Sequence, residues 1–219
     1  QYTYKLNKKN TINIGAVYTL GRTLHGDAYK YHQTGAESNG SIYVQSQTGD
    51  TIPNPFKMPH TFGIGLTYVY DNRLTIGVDY TLQKWNTADL AWSKFNKESV
   101  EMNSRTKIAF GAEFVPSYIS HNYLKRIRYR MGAYYSSPYN KVSYTSPDTG
   151  TTSFQDGARE YGVSIGFGLP MFQSKSMLNI SGQYIKVSPK FKGLMEENYL
   201  RINIGLTFNE RWFMKWKVD

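Results

Sequence analysis

The sequence predicts an all-β chain, an antiparallel transmembrane β-barrel of about nine strands, and three observations lead there. Hydrophobic residues recur at every second position through most of the chain, the period of a strand with two unlike faces. Each alternating segment runs roughly ten residues, the length that crosses a bilayer as a tilted strand, whereas sandwich strands average about five or six. Short connections alternate with long ones, as they do when tight periplasmic turns oppose extended external loops.

The segments follow in order. Tyr2, Tyr4 and Leu6 form the end of a first strand, and Asn7-Lys8-Lys9-Asn10 turns the chain. Ile12, Ile14, Ala16, Tyr18 and Leu20 then share one face, against Asn13, Gly15 and Val17. Phe62, Ile64, Leu66, Tyr68 and Tyr70 oppose Gly63, Gly65 and Thr67; after Asp71-Asn72-Arg73, Leu74, Ile76, Val78, Tyr80 and Leu82 oppose Thr75, Gly77 and Asp79. Ile108, Phe110 and Phe114 oppose Lys107, Gly111 and Glu113, while Tyr129, Met131 and Ala133 oppose Arg126, Arg128, Arg130 and Gly132. Tyr161, Val163, Ile165 and Phe167 oppose Glu160, Gly162, Ser164 and Gly166. Leu178, Ile180 and Tyr184 oppose Asn179, Ser181 and Gln183, and Leu200, Ile202, Ile204 and Leu206 oppose Arg201, Asn203 and Gly205. The second face is small or charged, which suits a polar lumen. Aromatics such as Trp85, Tyr135, Tyr139 and Tyr199 gather near segment ends, where an interfacial girdle sits.

Connections at 7–10, 71–73, 116–123 and 170–175 are short; those at 31–57, 86–103 and 138–157 are long, and 187–197 is intermediate. The short set is expected to be periplasmic, together with the C-terminus, and the long set external. Tyr2 to Leu6 then descends from outside and makes an odd ninth strand. Bacterial barrels have even counts, so the expectation is the C-terminal part of a larger barrel over 1–209, followed by a periplasmic or interfacial tail over 210–219. A complete eight-stranded barrel with residues 1–9 as a tail is the competing reading.

Composition narrows the function. The 219 residues include nineteen Tyr and nineteen Gly, with 16% aromatic residues, a strand-and-turn composition. The absence of cysteine removes disulfides, thiolate metal sites and Cys nucleophiles. The net charge of +10 is scattered without a basic run, which disfavours nucleic acid. His25, His32, His60 and His121 lack ligand spacing, and the His25–Asp27 pair has no accompanying nucleophile. No enzyme, metal or cofactor is expected.

The stretch FKMPHTFGIGLTYVYDNRLTIGVDYTLQKW, then RTKIAFGAEFV with IRYRMGAYYSSPY, then REYGVSIGFGLPM and NYLRINIGLTF, resembles in serial order the C-terminal hairpins of FadL-type outer-membrane transporters. That resemblance implies a fourteen-stranded barrel in a Gram-negative outer membrane, with membrane lipid or lipopolysaccharide around it. It also implies passive diffusion of long-chain fatty acids or other hydrophobic compounds through the barrel. The family's N-terminal hatch and kinked strand would lie upstream of Gln1. An accessory or structural barrel of a secretion or barrel-assembly complex is the alternative, since fold does not fix function.

Asp79, Lys107, Glu113, Arg126, Glu160 and Arg201 are expected to form a lumen charge network, with Glu113 on the strand beside Arg128 and Arg130. An arginine left over, Arg128 or Arg130, would suit a ligand carboxylate. The FadL-type resemblance adds Lys97, within SKFNKESVE, as a candidate contact to the ligand head group.

Overall fold

The computed structural model describes residues 1–38, 41–54, 56–87, 101–145, 150–171, 176–189 and 195–208. Nine strands make one antiparallel sheet, in which each strand pairs with its neighbours in chain order. They are β1 (Tyr2–Lys5), β2 (Asn10–Thr19), β7 (Thr61–Tyr70), β8 (Leu74–Gln83), β9 (Arg105–Phe114), β10 (Arg128–Ser136), β13 (Ala158–Pro170), β14 (Met177–Pro189) and β15 (Glu197–Thr207). Six shorter or separate strands lie in the connections: β3 (Thr23–Leu24), β4 (Asp27–Ser38), β5 (Ser41–Pro53), β6 (Phe56–Lys57), β11 (Lys141–Thr145) and β12 (Thr152–Asp156).

The nine-stranded sheet is the wall of a transmembrane barrel, and its burial is inverted relative to a water-soluble domain. On β13 the apolar Tyr161, Val163, Ile165 and Phe167 are all exposed, while Gly162, Gly166 and Gly168 on the other face are covered. Ile165 is 57% exposed and Met131 on β10 is 62% exposed. Among the described hydrophobic side chains only Ile52, Val115, Ile127 and Ile185 are buried. A surface so apolar would aggregate in water; it is the lipid-facing band of a barrel. β1 and β15 are the two sheet edges and do not pair with each other. The nine strands therefore do not close as a small barrel of their own.

The short turns are built by local chemistry. Asp71 and Asn72 take the left-handed conformation, with φ of 50° and 52°, and the Arg73 amide donates to the Tyr70 carbonyl at 2.9 Å. Residues with a short polar side chain tolerate that conformation, and the pairing of Tyr70 with Leu74 leaves a three-residue connection. Between β1 and β2, Asn7 Oδ1 accepts from the amides of Lys9 and Asn10 at 2.9 and 2.8 Å, which fixes the turn.

The connection from β9 to β10 is longer than expected. It holds one helical turn, α1 (Tyr123–Arg126), whose start is capped by Asn122 Oδ1 accepting from the Leu124 amide at 3.0 Å. Arg126 ends that turn, so it does not join the inward row of β10, correcting the alternation that began one residue too early.

Two of the long connections are likewise not plain loops. Residues 31–57 carry most of the β4–β5 ribbon, which pairs from Asp27↔Pro53 to Ser38↔Ser41. Residues 138–157 carry the β11–β12 ribbon. The meander places both at the same end of the sheet, opposite the short turns. Most of 86–103 and the tail 210–219 lie outside the described residues.

Candidate functional site: the polar inner wall

Strand register decides which inward groups meet. Glu113 on β9 stands opposite Arg130 on β10, and Arg130 stands opposite Gly166 on β13. Glu113 is shared by two cations: Arg128 Nη1 donates to its Oε1 at 3.1 Å, and Arg130 Nε donates to its Oε2 at 2.7 Å. Arg130 also reaches across β13 and donates through Nη1 to Asn179 Oδ1 on β14 at 2.7 Å. Gly166 and Gly168 present no side chain along that path, and the Arg128 stem lies against Gly168. The charge-assisted bonds span four strands and tie the wall together.

A second cluster lies nearer the long connections. Tyr134 donates its hydroxyl to Glu160 Oε1 at 2.5 Å, and Arg105 Nη2 stands 3.6 Å from Glu160 Oε2. Arg105 Nε donates to the buried Ser136 hydroxyl at 2.7 Å. Lys107 Nζ sits 4.6 Å above the Tyr134 ring, a cation–π contact. The ring lies flat over Gly162, where any Cβ would collide with it.

The remaining sequence-derived residues are dispersed. Asp79 is exposed and leans over Gly65 of β7, and Arg201 on β15 faces Gln183; neither has an ion pair among the described residues. Arg126 holds its guanidinium 5.6 Å from the Tyr123 ring, and its Nε is shielded without a hydrogen-bond partner. Lys97 lies outside the described residues. Tyr134, Arg105, Ser136 and Asn179 were not singled out from the sequence. Alternation puts them on the polar face, but their roles depend on register, which a single strand's pattern does not reveal.

Elsewhere, His60 is held at the long-connection end, with Nδ1 2.7 Å from the Tyr18 hydroxyl and accepting from the Gly21 amide at 3.2 Å. It borders an open apolar cleft with Met58, Pro59, Phe62 and Lys84. Trp85 and Tyr139 pack with ring centroids 5.7 Å apart at the same end, with Arg105 over Tyr139. Among the described residues no group of His, Asp and Glu could hold a metal ion. The inner wall can brace strands and present positive charge to the interior. Its two best candidate ligand arginines are already bound to Glu113.

No curated protein matches the chain. Among solved structures, the crystal structure of the P. putida toluene transporter TodX is similar, with 16% sequence identity and a TM-score of 0.47. The match covers 83% of this chain and 40% of that one, so the matched part spans less than half the transporter's length. The BamG family model matches residues 1–219, and the chain belongs to the BamG family.

Proposed function

We propose that this chain forms wall strands of an accessory outer-membrane barrel within a barrel-assembly complex. The observation that carries the reading is the BamG match along the whole chain, a family whose name groups it with barrel assembly. The inner wall supports it: Glu113 engages Arg128 and Arg130, and Asn179 takes the remaining reach of Arg130. Such a row stiffens a barrel, and it already engages Arg128 and Arg130, the two arginines that a fatty-acid carboxylate would meet there. In this reading the barrel is in the outer membrane of a Gram-negative bacterium, with lipid against the Ile64–Met131–Ile165 face and the short turns periplasmic.

Depletion of the full-length protein in its native host tests the proposal. The expected result is a broad fall in folded outer-membrane barrels, read by heat-modifiable migration, with uptake of hydrophobic compounds unchanged in the barrels that remain. Loss of hydrophobic-compound uptake alone, with barrel levels intact, would instead establish the transport function implied by the FadL-type resemblance.

A further inference from the structure

The three fully described short connections are unlike one another. Those at 7–9 and 71–73 are minimal polar turns, closed locally by Asn7 Oδ1 in the first and by the Arg73 amide on the Tyr70 carbonyl in the second. The third, from Val115 to Ile127, is far longer and is clamped at several points. The Val115 amide donates to the Arg73 carbonyl at 2.7 Å, and Val115 itself is fully buried. The Ser117 amide donates to the Lys125 carbonyl at 2.8 Å, closing the connection on itself. Tyr118 donates its hydroxyl to the Asn72 carbonyl at 2.5 Å, and Tyr129 donates to the Leu124 carbonyl at 3.1 Å. Between these clamps the chain holds Ile119 out at 92% exposure, with Leu124 of α1 at 62%.

A connection clamped at several points that leaves one isoleucine uncovered calls for an occupant. An exposed apolar knob on an ordered loop is the form of an interface anchor. Charge indicates the occupant's chemistry: residues 116–127 carry Lys125, Arg126 and His121 and no Asp or Glu. Lys125 is exposed, and Arg126 holds its guanidinium 5.6 Å from the Tyr123 ring, with neither in an ion pair among the described residues. Lipid is the less favoured occupant, because Tyr118, the neighbour of Ile119, turns toward the polar face. Its ring lies 5.8 Å from the guanidinium of Arg128, which belongs to the inner row.

We propose that the 115–127 connection is a preformed docking element for a protein subunit on the periplasmic side, one that offers an apolar socket to Ile119 rimmed by carboxylates for Lys125 and Arg126. This rests on the accessory-subunit reading and names the place where the partner attaches.

The test is a photo-crosslinking amino acid in place of Ile119 in the full-length protein in its native host, compared with the same group in place of Lys8. The expected result is one discrete protein adduct at position 119 and none at 8, mapping to a partner peptide that carries Asp or Glu. Lys125→Glu should reduce that adduct about tenfold, and reversing the mapped acidic residue should restore it. Heat-modifiable migration of each variant confirms that it folds. Lipid adducts, equal adducts at position 8, indifference to Lys125→Glu, or labelling of Ile119→Cys from outside intact cells would each overturn the proposal. Failure of the docking element with the complex still intact would leave the accessory-subunit reading standing; disappearance of the complex itself would overturn that reading first.

Discussion

The two faces of β13 obey opposite rules. Its outer face, Tyr161, Val163, Ile165 and Phe167, is apolar and exposed; its inner face, Gly162, Ser164, Gly166 and Gly168, is small and covered by side chains from β10 and β14. The outer face needs only to be apolar, because lipid is a fluid partner that tolerates shape changes. The inner face needs particular residues, because Tyr134 lies on Gly162 and Arg130 crosses Gly166. Polarity should therefore decide the effect of outer substitutions, and volume or hydrogen bonding the effect of inner ones.

The largest expected effect is on the outer face. Ile165→Arg, near the middle of β13, should destabilise the barrel by about 2–4 kcal/mol, whereas Ile165→Leu should be close to neutral. Urea titrations of the full-length protein folded into liposomes check both; equal tolerance of Arg and Leu would remove the lipid-facing assignment. Next comes Gly162→Val, which drives a branched side chain into the Tyr134 ring and should cost about 1–3 kcal/mol. Adding Tyr134→Ala should recover part of that loss, and a purely additive double variant would contradict the stacking.

Glu113→Gln leaves Arg128 and Arg130 side by side without their shared carboxylate. The loss should be about 1–2 kcal/mol, below the figure for a deeply buried pair because these side chains are about one-third exposed. A double-mutant cycle between Glu113 and Arg130 should show coupling, and zero coupling would reduce the pair to a geometric coincidence. Asp79→Asn should have the smallest effect, under about 0.5 kcal/mol, since Asp79 is exposed and has no ion pair among the described residues.

This difference between faces also explains what could be read from the sequence. The main strands were legible because one face meets lipid, so Phe62, Ile64 and Leu66 or Val163, Ile165 and Phe167 announce the period. The β4–β5 ribbon is not legible as strand because, among its side chains described, Ile52 alone is buried; Thr34, Gln47, Thr48 and Gly49 alternate nothing. Likewise Arg126 was placed in the inward row because the arginines at 126, 128 and 130 keep the period of a strand. The structure shows the chain still in the capped turn begun by Asn122. Glu113 was legible as a partner for Arg128 and Arg130 because consecutive hairpin strands are neighbours. Tyr134 on Gly162 and Arg130 on Asn179 were not, since both require the register of β10 on β13 and of β13 on β14.

The two faces describe a barrel wall with a braced interior; the proposed accessory role adds that its work is done with other proteins. Native mass spectrometry of the full-length protein, released from outer membranes in mild detergent, tests that account most directly. The expected result is one dominant assembly containing a barrel-assembly subunit in fixed stoichiometry, with no fatty acid recovered by solvent extraction. A lone barrel carrying a bound hydrophobic compound would contradict it.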